Sequence, residues 1–183
     1  MNRNPGGGRR PFATTLLLLL PPIAGVGCSS LKPYHEVLLS VPANEIVEIE
    51  GQRVHVEQAG RGEPLVMLHG FAGSTFEFRK LVPLLSRDHR TVAIDLNGFG
   101  YTERPVSPAA YTPEGQLAMI DAVLEKLGIS RFHLLGHSYG GSLSLLMAKN
   151  EPGRVKSLTL ISPATDFGEP PFILKTINGR KFT

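Results

Sequence analysis

Hydrophobic and polar positions alternate with a period of two near residue 50. Residues 45–50 (EIVEIE) and 53–58 (RVHVEQ) flank Gly51 and Gln52, which predicts a β-hairpin. Four further runs predict strands, the first two apolar enough for burial on both sheet faces. These runs cover residues 64–68, 90–96, 131–135 and 157–161.

Helical spacing of apolar residues separates the predicted strands. Ser74 and Glu77 form a capping-box pattern, which predicts a helix from Ser74 to about Leu85, bent at Pro83. A second helix is predicted from Thr112 to Gly128, because Leu117, Ile120, Leu124 and Leu127 form an apolar stripe at helical spacing. A third helix is predicted over residues 142–149. The alternation predicts an α/β fold, a mainly parallel sheet with helices on both faces.

The first 27 residues have the layout of an export signal. Arg9 and Arg10 precede an apolar stretch at 12–20, which Pro21 and Pro22 follow. This stretch is short for a membrane span, and the arginine pair also resembles a twin-arginine signal. We therefore predict three parts: an export signal over 1–27, a spacer over 28–44 and one domain over 45–183.

Cys28, the single cysteine, stands at the predicted cleavage site. Residues 25–29 (GVGCS) resemble a bacterial lipobox, although Gly25 replaces the usual larger aliphatic residue. Lipidation of Cys28 would attach the protein to a membrane surface. The predicted location is the bacterial cell envelope, or the periplasm or medium without lipidation. The alternative is an uncleaved anchor with an incidental cysteine.

Charge and composition narrow the classes of function. Three of the 19 basic residues precede Cys28, and the other 16 equal the 16 acidic residues in number. This balance gives no indication of nucleic-acid binding. No cofactor is predicted: Gly98 and Gly100 lack the third glycine of a dinucleotide loop, where Glu103 stands. No cluster has metal-site spacing either.

The run at residues 134–143 (LLGHSYGGSL) contains G-x-S-x-G between a predicted strand and a predicted helix. Such a turn exposes a serine on a strained backbone. Gly136 and Gly140 flank Ser138, where side chains would collide across the turn. The N-terminus of the following helix favours developing negative charge. The pattern predicts that Ser138 is a nucleophile.

Three motifs occur in order, each after its own strand: residues 68–71 (LHGF), 95–100 (DLNGFG) and 136–141 (GHSYGG). Together they resemble the α/β-hydrolase fold superfamily, in the branch of esterases, lipases, C–C hydrolases and perhydrolases. The resemblance covers about residues 47–163. It implies an α/β-hydrolase type of sheet, and it implies that residues 95–100 are a structural loop near the pocket.

The resemblance also implies the roles of the site residues. Ser138 would attack a small-molecule acyl substrate such as a carboxylic ester. The main-chain N–H groups of Phe71 and Tyr139 would form the oxyanion hole, on a loop that contains His69 and Gly70. Epoxide hydrolases and haloalkane dehalogenases carry aspartate at the position of Ser138, which disfavours those activities here.

The general base is harder to assign. The superfamily places its acid and then its histidine after the serine, whereas all six histidines here precede it. His69, His133 and His137 are the upstream alternatives. His35, His55 and His89 are expected at the surface or in the spacer. Candidates for the acid are Asp166, Glu151 and Glu169, with Asp166 the preferred one.

The fold resemblance also predicts that part of the family's fold is missing from this chain. Relatives continue with a lid, two further strands and their helices, so we expect a chain truncated after about the sixth strand. The last strand would be an exposed edge able to self-associate. Two classes of function stay open: an exported serine hydrolase with an incomplete triad, and a catalytically inactive fragment or pseudo-enzyme that keeps the fold for binding.

Overall fold

Six strands form one sheet in the part of the chain that the structure describes. The structure is a computed structural model, and the described residues are 32–164. The strands are β1 (Ile46–Ile49), β2 (Gln52–Ala59), β3 (Glu63–Leu68), β4 (His89–Ile94), β5 (Phe132–His137) and β6 (Val155–Ile161).

The described residues also form four α-helices and three 3-10 helices; the first of each precedes β1, and the others connect the strands. The α-helices are α1 (Tyr34–Leu39), α2 (Val82–Leu85), α3 (Pro113–Lys126) and α4 (Ser138–Asn150). The 3-10 helices are Ala43–Glu45, Thr75–Phe78 and Pro108–Tyr111.

The strand order is β1-β2-β4-β3-β5-β6. β3 pairs in parallel with β4 and β5, and β5 pairs in parallel with β6, whereas β2 is antiparallel to β1 and β4. The predicted hairpin is confirmed, but its turn consists of Glu50 and Gly51, one position earlier than expected. Both have positive φ (49° and 86°), as a tight hairpin turn requires.

Helices cover both faces of the sheet, as predicted. On one face, apolar residues of α3 and α4, such as Ile120 and Met147, pack on strand residues such as Val66. On the other face, Phe78 and residues of α2 pack on Met67. The apolar stripe on α3 is confirmed, and Thr112 caps this helix by accepting a hydrogen bond from the N–H of Gly115 (3.1 Å).

The predicted helix from Ser74 to Leu85 is wrong. A 3-10 segment, Thr75–Phe78, and the short helix Val82–Leu85 stand in its place, and the Ser74 side chain makes no capping bond. The Glu77 carboxylate instead accepts a hydrogen bond from the N–H of Gly70 (3.2 Å). The capping box fails because a main-chain donor outside the helix takes the acidic side chain.

The described residues before the sheet contain more structure than a spacer. Helix α1 lies within the predicted spacer, and the Tyr34 hydroxyl donates a hydrogen bond to the Thr102 carbonyl. Within the described range, residues 34–164 form one compact unit with the sheet. The export signal, Cys28, Asp166 and Glu169 lie outside the described residues. Within 32–164, every helix is too short or too polar for a membrane span.

Candidate active site

Ser138 lies on a sharp turn between β5 and α4. Its φ is +50°, a left-handed conformation that costs a non-glycine residue on the order of 1–3 kcal/mol. A Cβ atom at Gly136 would lie 2.4 Å from Ser144 Oγ, and one at Gly140 would lie 2.2 Å from the Leu68 carbonyl oxygen. The two glycines are needed because the turn packs directly on neighbouring main chain.

Helix α4 begins at Ser138, four residues earlier than the sequence pattern predicted. Its first-turn N–H groups, that of Tyr139 among them, have no carbonyl partner inside the helix. The Tyr139 side chain packs against the core, and burial raises the pKa of its hydroxyl. The main-chain N–H of Tyr139 therefore lies at the positive end of a 13-residue helix.

The loop after β3 lies against this turn. A Cβ atom at Gly70 would be 3.3 Å from Ser138 Cβ and 3.1 Å from His137 Nδ1. The Gly73 N–H donates to the Gly70 carbonyl (2.9 Å), and this bond closes a tight turn around Phe71 and Ala72. The N–H of Phe71 is thus held on the loop that contacts Ser138.

His69 is fully buried beneath that loop. Its Nδ1 donates to the Gly70 carbonyl (2.7 Å), and its Nε2 accepts from the Leu96 N–H (3.0 Å). Burial lowers the pKa of His69, so the neutral Nδ1–H form is favoured. Both ring nitrogens are occupied, which rules out His69 as the base and makes it a positioning residue.

Asp95 holds the loop after β4. This buried carboxylate accepts hydrogen bonds from the N–H groups of Thr75 (2.6 Å) and Tyr101 (2.8 Å) and lies 2.8 Å from His55 Nδ1. A Cβ atom at Gly100 would come within 1.9 Å of Asp95 Oδ2. The structural role expected for this loop is consistent with these contacts.

His55 is a buried part of the same network, so the prediction of a surface residue is wrong. Burial alone lowers the pKa of His55, but its hydrogen bond with Asp95 and the charge of that carboxylate outweigh burial and raise it. The strand pattern could not reveal this, because the partner lies 40 residues away.

Glu77 is a site residue that sequence reasoning missed. Its Oε2 accepts from the Gly70 N–H, and its Oε1 lies 2.8 Å from His137 Nδ1. The second contact is not aligned as a hydrogen bond. Glu77 therefore joins the loop after β3 to the residue that precedes the nucleophile, and His137 faces this carboxylate.

Two phenylalanine rings border the site. Phe71 is 54% exposed, and its ring meets the edge of Phe99 at a centroid distance of 5.3 Å. Phe99 in turn meets His69 at 5.8 Å. The exposed ring of Phe71 is an apolar surface on the loop that contacts Ser138.

His133 lies at the other end of β5. Its imidazole contacts Ser157 Oγ (2.7 Å) and Glu63 Oε2 (2.8 Å). Hydrogen bonds with Lys156 and His133 lower the pKa of Glu63 to about 2. His133 is four steps along the strand from His137, at about 3.3 Å a step, so it is too far from Ser138 to act as its base.

Glu151 is also remote from the nucleophile. It follows the C-terminus of α4 and pairs with Arg154, which contacts Asp121 as well (3.0 Å). A cavity of about 600 Å³ is lined by Asp121, Arg154 and the turn before β5. Since this cavity lies at the end of the sheet opposite Ser138, we do not assign it to the active site. Within the described range, no cluster could hold a metal ion.

The sheet is mainly parallel, its fifth strand ends at a strained serine, and the Gly70–Phe71 loop lies beside that serine. This arrangement is that of the α/β hydrolases. The family described as alpha/beta hydrolase fold matches residues 63–180. The chain belongs to this family.

Similar proteins include hydrolases of two chemical kinds. Epoxide hydrolase 2 of Siraitia grosvenorii is 34% identical over 63% of this chain and 37% of its own length. The 2-hydroxy-6-oxo-2,4-heptadienoate hydrolase of Pseudomonas putida is 38% identical over 61% of this chain and 41% of its own. The chain thus spans about two fifths of the length of these curated relatives.

Solved structures show the same likeness. An alpha/beta hydrolase fold protein from Burkholderia ambifaria superposes with a TM-score of 0.68 at 28% identity, covering 76% of this chain and 51% of the other. An epoxide hydrolase of Bacillus megaterium gives a TM-score of 0.62 at 29% identity, covering 64% and 42%. These similar structures support the assignment of this chain to a family of hydrolases.

Proposed function

We propose that the protein is a serine hydrolase that acts on carboxylic esters or related acyl substrates. The observation that carries this proposal is the strained Ser138 at the start of α4, in contact with the Gly70–Phe71 loop. Ser138 Oγ would attack the acyl carbon while its proton passes to a base. The N–H groups of Phe71 and Tyr139 would stabilise the oxyanion, typically by ~2.7–4 kcal/mol for each donor.

The second half of the cycle follows from the same groups. The tetrahedral intermediate collapses, the C–O bond to the leaving group breaks, and the alcohol departs with a proton. Ser138 then carries the acyl group as an ester, and water hydrolyses this ester through a second oxyanion in the same hole.

The chemistry of a hydroxyl nucleophile favours acyl substrates over epoxides. If Ser138 opened an epoxide, the product would be an alkyl ether, which water does not cleave under these conditions. Attack on an acyl carbon gives an ester, which water cleaves. The similarity to epoxide hydrolases therefore supports a shared fold. The serine at position 138 supports attack on an acyl carbon instead of epoxide opening.

Among residues 32–164, none of the three candidate histidines is placed to take the proton of Ser138. His69 has both nitrogens occupied, His133 lies at the far end of β5, and His137 faces Glu77. The direct test follows the covalent step at Ser138, in which a base must still take the hydroxyl proton but no hydrolysis of the adduct is needed.

An active-site probe tests the proposal. An alkyl fluorophosphonate should add one phosphonyl group to the folded protein, as measured by intact mass. The adduct should be lost in Ser138→Ala and kept in Ser157→Ala, a serine on β6 that contacts His133. A folded wild-type sample without an adduct would overturn the proposal and favour the catalytically inactive alternative.

Export and lipidation of Cys28 are a separate proposal that rests on the sequence of residues 1–29. In a bacterial host given labelled palmitate, the wild-type protein should incorporate the label and sediment with membranes. Cys28→Ala should do neither. Equal labelling of both proteins would contradict lipidation at this residue.

A further inference from the structure

Three loops near Ser138 contain acidic residues, and their only basic side chains are the histidines His69 and His137. Residues 69–78, 95–103 and 136–142 include neither lysine nor arginine. The nearest arginines in sequence are engaged elsewhere: Arg79 lies over the Phe76 ring and Arg104 over the Tyr34 ring. An anionic substrate would find no guanidinium or ammonium group on these loops.

Of the three acidic residues on these loops, Glu77 alone joins the two loops that contact at Ser138. Asp95 is fully buried, and Glu103 accepts a hydrogen bond from the Arg53 N–H at the antiparallel side of the sheet. The Glu77 side chain is 28% exposed, and its carboxylate contacts both Gly70 and His137. The carboxylate therefore contacts the residue before Phe71 and the residue before Ser138.

Aromatic residues border the described part of the site. The exposed Phe71 ring and the edge-on Phe99 ring form its wall. Aromatic rings of this kind bind apolar groups by removing their surface from water. An acyl chain without charge would gain from this wall, whereas a carboxylate on the chain would lose hydration there.

We propose that this site selects neutral, apolar acyl groups and discriminates against acyl groups that carry a carboxylate, with Glu77 as the specificity-determining charge and Phe71 as the apolar contact. This inference rests on the proposed acyl chemistry at Ser138. It separates the protein from the similar Pseudomonas putida hydrolase, whose name denotes an anionic dienoate substrate.

The test uses three 4-nitrophenyl phosphonate esters that differ only in their alkyl group: methyl, hexyl and 5-carboxypentyl. Each would phosphonylate Ser138 with release of nitrophenolate, so the second-order labelling rate can be read from absorbance at pH 8. We expect hexyl to react faster than methyl. We expect 5-carboxypentyl to react about tenfold more slowly than hexyl, a ratio that corresponds to ~1.4 kcal/mol.

Two variants identify the groups responsible. Glu77→Gln keeps an acceptor for the Gly70 N–H and removes the charge, so it should narrow the ratio of hexyl to 5-carboxypentyl rates. Phe71→Ala should lower the ratio of hexyl to methyl rates. Glu125→Gln removes a carboxylate at the opposite end of the sheet and should change neither ratio. Added salt should also narrow the hexyl to 5-carboxypentyl ratio, since it screens exposed charges.

The wild-type ratios test the inference even if a variant fails to fold. Equal rates for the hexyl and 5-carboxypentyl probes would overturn the inference and leave the serine hydrolase proposal intact. An unchanged ratio in folded Glu77→Gln would overturn the role of Glu77. Labelling by none of the probes, or labelling that persists in Ser138→Ala, would overturn the proposed function and this inference with it.

Discussion

The Nε2 atom of His69 accepts a hydrogen bond from the main-chain N–H of Leu96 across 3.0 Å. His69 follows β3 and Leu96 follows β4, so this bond joins the ends of two parallel strands beside the nucleophile. Because Nδ1 donates to the Gly70 carbonyl at the same time, one buried ring fixes both the loop after β4 and the loop that holds Phe71.

His69→Ala should therefore destabilise the protein. It leaves the buried Leu96 N–H without its partner, at a cost of about 1–3 kcal/mol, and removes one of the two donors to the Gly70 carbonyl, so we expect a loss of ~2 kcal/mol in urea unfolding. His133→Ala removes two partly exposed contacts and should cost no more than about 1 kcal/mol. Equal losses for the two variants would contradict the assigned role of His69.

Asp95→Asn should change the titration of His55. In the wild-type protein, Asp95 raises the pKa of His55, and the reference pKa of a free histidine is 6.5. The resulting stability is present below this value and is lost as pH rises through the raised pKa. Without the carboxylate, burial should dominate and lower the pKa of His55, despite Glu45 and Glu57 nearby.

NMR titration of the imidazole signals measures this change. The His55 signal of the wild-type protein should shift above pH 6.5, and that of Asp95→Asn should shift at lower pH. The His69 signal, whose pKa is lowered by burial, should change below pH 6.5 in the wild-type protein. A His55 titration unaffected by Asp95→Asn would contradict the network.

Asp121 should make stability fall as pH rises. Burial, followed by the hydrogen bond and charge of Glu151, raises the pKa of Asp121 to about 6 from 3.8, against the lowering effect of Arg154. Between these values the folded state holds more protons than the unfolded state, so this contribution is present below about pH 4 and lost through about pH 6.

Urea unfolding at pH 4, 5, 6 and 7 tests the effect of Asp121. The free energy of unfolding of Asp121→Asn, relative to that of the wild-type protein, should increase over this interval, because the variant lacks the titrating carboxyl. Since Asp121 is half-buried and screened by solvent, the direction of the difference is the prediction. Parallel curves would contradict it.

Ser138→Gly should be more stable than Ser138→Ala. Both variants lack the hydroxyl, but glycine adopts a φ of +50° without the steric strain that a Cβ imposes. We expect a difference of about 1 kcal/mol in the free energy of unfolding, with glycine the more stable. The reverse order would show that the turn is relaxed at this position in solution.

Local patterns predicted the strands and the strained serine well. The period of two predicted the hairpin. The apolar runs predicted both ends of each strand from β3 to β6 to within two residues. Gly136 and Gly140 predicted the turn because side chains at these two positions would collide with the neighbouring main chain. The helices on both sheet faces also followed from the alternation of the two periods.

Contacts between distant segments could not be predicted in the same way. Glu77 fits a capping box by spacing, yet its carboxylate goes to Gly70 and His137, which become neighbours only when β3 and β5 pair. His55 looked like a surface residue because its polar partner Asp95 comes from the loop after β4, 40 residues away. Local spacing specifies elements, whereas the site depends on which strand ends the sheet brings together.

The most direct measurement is the location of a phosphonate adduct on the folded protein. After reaction with a hexyl phosphonate probe, peptide fragmentation should place one adduct on Ser138, and Ser138→Ala should carry none. This result would establish that the strained serine is a reactive nucleophile, which the proposed acyl chemistry requires. An adduct on another residue, or an unlabelled wild-type protein with a cooperative unfolding transition, would contradict the account.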